Sequence, residues 1–526
     1  MMAAALKEAR VEGPFLASCE QFRAMLGLVD STEGYSMTIS DLEKELELAA
    51  RELIRTMLQE HLDRRAPGEA EGPVRDADGI ERDRMQYHER NIETVFGTVR
   101  VGRTGYGAEG AESLHPLDAA LNLPEELYSL GVRRRVAEEV AKTSFDEVTE
   151  TMARHTGANV PKRQLRELVE RAAQDFDLFY QTRRECAEAE ETNGSIVVMS
   201  VDGKGVVMRR EDLREATRKA ALTKSNKLSK RLSKGEKRNA KRMATVAVTY
   251  TIEPNIRTPE EVIRSMAPIH ESEPRRRPAP ELKRVWASLE KSPASVIEEA
   301  FQEAHFRDPD RKKSWVALVD GNKPQINILS EKARVHQVDL SIVLDFIHVS
   351  EYVWSAGLAF YAEGSPDLQA WVTERLLRIL RGKSSGVAAG MRRSATLGEL
   401  KAGKRKAVDR CANYLLKYRP YLRYDLCLEK GFPIATGVVE GACRHLVKDR
   451  MDLTGARWSL RGAEAVLRLR ALRSCDDFDQ YWEFHENLAR QRNHASKYAN
   501  CSPHPLRFPR FRRKRPSASS SDFSPT

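Results

Sequence analysis

The sequence lacks any apolar run that approaches the length of a membrane span, although apolar residues make up 41% of its 526 residues. Its first residues, MMAAALKEARVEG, also lack the apolar core of a secretory signal peptide. These two absences exclude an integral membrane protein as an interpretation. They predict a cytoplasmic protein with no membrane partner.

The chain has few cysteines, and its acidic residues are fewer than its basic ones. The chain has seven cysteines, no two of which form a Cys-x-x-Cys pair, so the sequence indicates neither disulfides nor a zinc ribbon. Lysine and arginine (87) outnumber aspartate and glutamate (77), which gives a formal net charge of +10. A basic balance favours a polyanionic partner, with simple solubility as the alternative.

What the chain does have is a set of short apolar runs that end in aspartate. They lie in Ser195–Lys204 (SIVVMSVDGK), where the apolar run ends at Asp202, in Lys313–Asp320 (KSWVALVD) and in Val338–Asp345 (VDLSIVLD). Such runs are typical of strands buried on both faces, and open sheets bind ligands at the carboxyl ends of strands. Gly203 and Gly205 predict a tight turn that returns as a second strand at 206–208. A further strand is predicted at Met243–Ile252, and a helix at 282–305.

The predicted order of strands and helices is that of a ribonuclease H-like α/β domain with a mixed sheet. In that fold the first and fourth strands are central neighbours, so Asp202 and Asp320 would meet. Two adjacent carboxylates repel each other unless a cation lies between them, and Mg²⁺ prefers oxygen ligands of this kind. Two such ions, about 4 Å apart, assist phosphodiester chemistry. Glu440, on a later predicted helix, is the candidate third acid.

Several residues near these acids have two possible interpretations. Asp345 is an alternative to Asp320 as the second metal ligand. His348 is either an accessory functional residue or the ordinary N-terminal residue of a helix. Trp458 either stacks on a base or packs between helices, and packing is favoured.

Basic residues outside the predicted strands suggest contacts with nucleic acid. Short predicted helices with a turn at Gly157 are similar to a helix-turn-helix, and ordinary packing is the alternative. The segment Arg209–Arg242 is densely basic, which favours contact with phosphates. The candidate DNA contacts are Lys162, Arg163, Arg166, Lys204, Lys224, Lys227, Lys230, Arg231, Arg444 and Lys448.

The predicted organisation follows from these patterns. It comprises a helical N-terminal segment (1–65), a linker (66–90), a helical DNA-binding region (91–190), the first part of a catalytic core (191–364), an all-helical insertion (365–430), the C-terminal helices of the core (431–495) and a basic disordered tail (496–526).

Several segments of the chain resemble the bacterial insertion-sequence transposases of the ISKra group, which are DDE transposases similar to the Mutator-like branch. They include VDGKGVVMR, WVALVDG, LDFIHVSEYVW, GVVEGACRHLVKDRMDLTGARWS and, in the N-terminal half, YSLGVRRRVAEEVAKTSFDEV. The resemblance runs from about residue 90 to residue 495. By this likeness, Asp202, Asp320 and Glu440 match the catalytic triad, and Asp345 to His348 matches an Asp-x-x-His signature.

The resemblance implies metal-dependent DNA cleavage and strand transfer at the ends of an insertion sequence. The expected cofactor is a pair of Mg²⁺ ions, with Mn²⁺ as a substitute. The expected partners are terminal inverted repeats, target DNA and further copies of the chain, near the bacterial nucleoid. The alternatives are another ribonuclease H-like DNA nuclease and a catalytically silent DNA-binding regulator descended from a transposase.

Overall fold

The computed structural model describes residues 15–65, 67–186, 194–222, 240–266 and 277–507. These residues form two compact units. The first unit draws on residues 15–139, 145–168 and 482–507, and the second consists of Val140–Ser144 and the described part of Val169–Tyr481. Among the described residues, no helix is both long and apolar enough to cross a membrane.

The first unit combines helices with small antiparallel sheets. Its N-terminal helices are Leu16–Val29, Thr32–Ser36 and Ile39–Arg64, followed by Pro116–Leu121. Strands β1 (Val74–Arg75) and β2 (Glu81–Arg82) pair with each other, and β3 (Arg84–Thr94), β4 (Gly97–Ala108) and β5 (Ala111–Leu114) form a three-stranded sheet. Ile92, Val99 and Leu506 share one buried core, while Val74 and Tyr498 share another.

Two of the predicted segments contain more structure than the sequence indicated. The expected linker 66–90 carries β1, β2 and the start of β3, and Val74 within it is fully buried. The expected disordered tail begins with residues that pack, because Tyr498 and Leu506 bury their apolar side chains. Residues 508–526 lie outside the described residues.

Four helices with mostly short connections follow the small sheets. They are Leu130–Val140, Phe145–His155, Lys162–Ala172 and Phe176–Cys186. Val132, Val136 and Val140 are fully buried, as their spacing on one helical face predicts. The turn at Gly157 lies between the second and third of these helices, where the sequence predicts it.

The second unit is built on a mixed five-stranded sheet. Its strands are β6 (Ile196–Val207), β7 (Lys241–Ile252), β8 (Glu281–Ser288), β9 (Ser314–Val319) and β10 (Leu340–Leu344). Their order across the sheet is β10-β9-β6-β7-β8. The pairs β6–β7 and β7–β8 are antiparallel, while β6–β9 and β9–β10 are parallel. The prediction that the first and fourth strands are neighbours is therefore confirmed.

The predicted turn at Gly203 and Gly205 is wrong. β6 runs straight through both glycines and pairs with β7 from Ile196↔Ile252 to Val207↔Lys241. A β-carbon on Gly205 would lie 2.8 Å from Cδ of Lys241, so the glycine provides close approach between strands instead of a reversal. The hairpin partner of β6 is therefore the strand predicted at Met243–Ile252, which begins two residues earlier than predicted.

The predicted helix at 282–305 is also partly wrong, because its first third is strand β8 and only Pro293–Arg307 is helical. The other helices before the insertion are Glu215–Leu222, Pro259–Ser265, Lys323–Val335 and Phe346–Gly357. The expected insertion contains only helices, namely Pro366–Leu380, Ser384–Leu397, Ala402–Lys417 and Tyr424–Glu429, with one 3₁₀ turn, Arg419–Tyr421. The first of the closing helices, Gly437–Ala442, continues as a π-helical segment, Cys443–Lys448, and then as Asp449–Met451. Two longer helices follow it, namely Leu460–Ser474 and Phe478–Asn493.

Candidate functional site

Three aspartates stand at the same level on three adjacent parallel strands. Asp320 and Asp345 directly follow β9 and β10, whereas Asp202 lies within β6, just beyond the residues of β6 that pair with β9. Ser200 of β6 is paired with Leu318 of β9, and Val319 of β9 is paired with Leu344 of β10. Continuing this register brings Asp202 opposite Asp320, and Asp320 opposite Asp345. Adjacent strands lie about 4.8 Å apart, so the row of aspartates follows directly from the pairing.

Asp202 is half-buried and points one carboxylate oxygen at a thiol. Its Oδ1 accepts a hydrogen bond from the backbone N–H of Gly203 at 2.6 Å, and its Oδ2 accepts one from Sγ of Cys443 at 3.3 Å. Burial, then the charge and hydrogen bond of Asp202, raise the pKa of the Cys443 thiol well above its ordinary value. The thiol therefore stays protonated and remains a donor to Asp202.

Asp320 lies in the turn between β9 and the next helix. Its Oδ1 accepts a hydrogen bond from the backbone N–H of Asn322 at 2.9 Å, an arrangement typical of an aspartate at the start of a turn. Its Oδ2 accepts no hydrogen bond from any residue that the structure describes. Its backbone carbonyl accepts a hydrogen bond from the Tyr414 hydroxyl at 3.2 Å, which fixes the turn.

Asp345 is occupied by backbone donors. It is 2% exposed and caps the helix Phe346–Gly357, accepting hydrogen bonds from the N–H groups of Ile347 and His348. It also accepts one from the N–H of Thr436 at 3.0 Å. Both carboxylate oxygens of Asp345 accept hydrogen bonds from backbone N–H groups. Asp320 therefore has more of its carboxylate available to bind a ligand than Asp345 has.

Glu440 is held close to this row by Thr436. Its Oε1 accepts a hydrogen bond from the Thr436 hydroxyl at 3.0 Å, and its carboxylate is otherwise exposed. Glu440 lies three residues before Cys443 along a helical segment, so their side chains share a face. Glu440 is therefore linked to Asp345 through Thr436 and lies one helical turn from the thiol that contacts Asp202.

The fit of these acids to a metal ion is incomplete. Asp202, Asp320 and Glu440 offer the hard oxygen donors that Mg²⁺ requires, and Asp320 and Glu440 each have an oxygen without a protein partner in the described structure. No group of three His, Cys, Asp or Glu side chains is arranged to hold a metal ion anywhere in the described ranges. The structure thus brings the two strand aspartates to one level and leaves Glu440 beside them without forming a closed three-ligand set.

The predicted DNA contacts differ in their surroundings. Lys204 is half-buried two residues beyond Asp202, on the same face of β6, and Arg444 and Lys448 are exposed on the π-helical segment. Lys162, Arg163 and Arg166 are all exposed, and Lys162 forms an ion pair with Asp146 at 2.6 Å. Lys224, Lys227, Lys230 and Arg231 lie outside the described residues.

The structure gives definite surroundings to His348 and Trp458. The His348 backbone N–H donates to Asp345, and its Nδ1 lies 3.2 Å from Oε2 of Glu351. Trp458 is 5% exposed, and its Nε1–H donates to the Met451 carbonyl at 3.1 Å. The prediction that Trp458 packs between elements of the fold is confirmed.

Sequence reasoning missed Thr436 and the role of Cys443. Thr436 precedes the helix Gly437–Ala442 by one residue, so the spacing Thr-x-x-x-Glu was a visible signal for a contact at the start of this helix. No local pattern indicated the contact between Cys443 and Asp202, because 241 positions separate the two residues.

The contrast between Asp345 and Asp320 gives a prediction about stability. We expect Asp345→Asn to lower the free energy of unfolding by about 2 kcal/mol, since an amide group would face buried N–H donors. We expect Asp320→Asn to cost less than about 1 kcal/mol, because asparagine also supports this kind of turn. Urea denaturation followed by tryptophan fluorescence measures both, and the reverse ranking would contradict the structural role of Asp345.

The fold and these residues define an α/β protein with a mixed five-stranded sheet and a row of three aspartates at one level across its parallel strands. No protein-family model matches the chain, and a comparison with curated proteins finds no match.

Proposed function

We propose that this protein is a DDE transposase similar to the ISKra group, which cleaves DNA at insertion-sequence ends and transfers the freed strands. The observation that carries the proposal is the common level of Asp202 and Asp320 on neighbouring parallel strands, with Glu440 tethered one helical turn from the Asp202–Cys443 contact. The strand order β10-β9-β6-β7-β8 supports it further, because it is the order expected of a ribonuclease H-like domain.

In this proposal each acid has a defined task. Asp202 and Asp320 would hold Mg²⁺ ions together with Glu440, and Mn²⁺ would substitute for Mg²⁺. The chemistry that such ions supply is activation of an attacking oxygen and stabilisation of a leaving oxygen in phosphodiester cleavage. Asp345 positions Glu440 through Thr436, and Cys443 orients the Asp202 carboxylate by donating to its Oδ2.

The proposed partner is DNA, held mainly through its phosphates. Lys204, Arg444 and Lys448 lie near the acids in sequence and would neutralise phosphates flanking the cleaved bond. Lys162, Arg163 and Arg166 would contact the terminal repeats. Since two element ends must be joined, we propose that a dimer or larger assembly acts on DNA in the bacterial nucleoid.

A second function is a DNA-binding regulator descended from a transposase. One observation favours it: the described residues contain no three-ligand group for a metal ion. A regulator would keep the exposed basic residues and the fold, and would not need the three acids to converge.

One experiment separates the two functions. The full chain would be incubated with Mg²⁺ or Mn²⁺ and DNA taken from either side of its own gene, where an element's inverted repeats would lie, and the strands would be resolved on a denaturing gel. The transposase hypothesis predicts nicks at one fixed position near each repeat. Specific binding with no cleavage in either metal would favour the regulator.

A further inference from the structure

A cavity of about 510 Å³ opens directly beside Asp320. The turn Asp320–Asn322 forms one wall, His348 and Tyr352 of the helix Phe346–Gly357 form a second, and the helix Ala402–Lys417 of the insertion forms the third. The cavity is thus the place where the helical insertion faces Asp320. Its size falls within the range of pockets that bind small organic ligands.

The insertion helix presents uncompensated positive charge to this cavity. Arg410 and Lys417 both line it, are exposed, and form no ion pair with any residue in the described part of the chain. They are seven positions apart on one helix, which puts them on the same face. By contrast, Arg392 and Arg405 nearby share the carboxylate of Asp409. Lys417 Nζ lies 4.7 Å from the ring centroid of Tyr418, a contact that leaves its charge unneutralised. Two cations without a counter-charge suit an anionic ligand.

Aromatic rings contribute to two of these walls. Tyr352 stacks on Tyr414 with ring centroids 4.1 Å apart and an interplanar angle of 9°, and Tyr418 lies 4.9 Å from Tyr414. The hydroxyls of Tyr414 and Tyr418 donate to the backbone carbonyls of Asp320 and Gly321, so the rings are tied to the turn that carries the acid. Tyr352 is half-buried, whereas Tyr414 is buried, so Tyr352 offers the more accessible ring.

We propose that this cavity binds one unpaired nucleotide of a DNA strand, with its phosphate on Arg410 and Lys417 and its base against Tyr352. This inference rests on the proposed function, since it assigns a position to the strand next to the cleaved bond. Cations that neutralise phosphate and aromatic rings that stack on bases are the two components of single-strand recognition. A duplex does not fit, because a cavity of about 510 Å³ has room only for a ligand of small-molecule size.

The test measures binding of a fluorescein-labelled 12-nucleotide single strand by the full chain in EDTA, with the matching duplex as a second probe. We expect Arg410→Ala with Lys417→Ala to raise the Kd for the single strand roughly tenfold or more. The matched control is Lys401→Ala with Lys404→Ala, which removes the same charge from exposed positions at the start of the same helix, away from the cavity lining. We expect the control to change the Kd less than about twofold.

Stacking has a readout of its own. A 2-aminopurine base in the single strand should lose fluorescence on binding, and Tyr352→Leu should abolish this quenching while Tyr352→Phe preserves it. Equal losses of affinity in the cavity and control variants, unchanged quenching in Tyr352→Leu, or displacement by an equal concentration of a free mononucleotide would each overturn the proposal.

The binding and quenching measurements test the nucleotide site independently of DNA cleavage. If no DNA is cut in Mg²⁺ or Mn²⁺ but the binding and quenching patterns hold, the transposase hypothesis fails and the nucleotide site stands. If cleavage depends on Asp202 while the Arg410/Lys417 and Tyr352 variants bind as the wild type does, the nucleotide site alone is refuted.

Discussion

Asp202→Asn is expected to reduce metal-dependent DNA cleavage on the order of 10³-fold, because it removes a charged oxygen donor from the row of aspartates. Asparagine keeps the size of the side chain and an acceptor for the Gly203 N–H, so the fold should be retained. DNA affinity should be unchanged or slightly higher, since one negative charge is lost. Cleavage rates at saturating DNA, together with the Kd, separate these two effects.

The matched control for this substitution is Asp339→Asn. Asp339 is an exposed aspartate just before β10, at the opposite end of this strand from Asp345. We expect its cleavage rate to equal that of the wild type. Asp320→Asn and Glu440→Gln should resemble Asp202→Asn if the three acids act as a set. Normal cleavage by Asp202→Asn would remove this site from the mechanism.

The common level of Asp202 and Asp320 could be anticipated from the sequence because it depends on strand composition. Buried parallel strands are continuous apolar runs, and an acid at the end of each run is visible without knowledge of the fold. The antiparallel partner of β6, strand β7, could not be predicted from strand composition in the same way. Gly203 and Gly205 are equally compatible with a turn and with a strand that a neighbour approaches closely, and only the pairing with Lys241–Ile252 decides between them.

The contacts that position the acids could not be predicted for a related reason. Cys443 reaches Asp202, and Thr436 reaches Asp345, across 241 and 91 positions of the chain. Contacts of this kind depend on how helices pack on the sheet. This packing produces no periodic pattern in the sequence from which the contacts could be predicted. Aspartate and threonine are common, so their presence carries little information before the fold is known.

Strand β8 shows how tertiary packing can override a local pattern. Leu282, Val285, Trp286 and Leu289 follow the spacing of an apolar helical face, which explains the wrong prediction. In the structure this segment pairs with β7 and is buried on both faces, so even Arg284 is only 5% exposed. A buried arginine at that position requires an anion, and a single-sequence pattern does not reveal which residue supplies it.

The anion is Glu303, and replacing it should lower the stability of the fold more than Asp345→Asn or Asp320→Asn does. Glu303 is 5% exposed and accepts hydrogen bonds from Arg284 and Arg307, which are also buried. We expect Glu303→Gln to lower the free energy of unfolding by about 3–5 kcal/mol, because it leaves buried guanidinium groups without a counter-charge. Urea denaturation followed by tryptophan fluorescence is a suitable measurement, since Trp286 adjoins Arg284.

The matched control is Asp409→Asn, because Asp409 also lies between two arginines, Arg392 and Arg405, but with 39% of its side chain exposed. Solvent screens such a pair, so we expect its loss to cost less than about 1 kcal/mol. A similar cost for both substitutions would show that burial does not set the strength of the Glu303 network.

The pH dependence of stability tests the Glu303 network through the charge of its carboxylate. Burial by itself would raise the pKa of Glu303, but the charges of Arg284 and Arg307 and their hydrogen bonds lower the pKa from 4.5 to about 2. Because the pKa is lower in the folded state, the stabilisation is complete above about pH 4.5 and is lost as the pH falls toward 2. At about 1.4 kcal/mol per pKa unit, roughly 3 kcal/mol depends on this one carboxylate. The difference in stability between the wild type and Glu303→Gln should therefore shrink across that interval, and a difference that stays constant from pH 5 to pH 3 would contradict the charge of Glu303 as its cause.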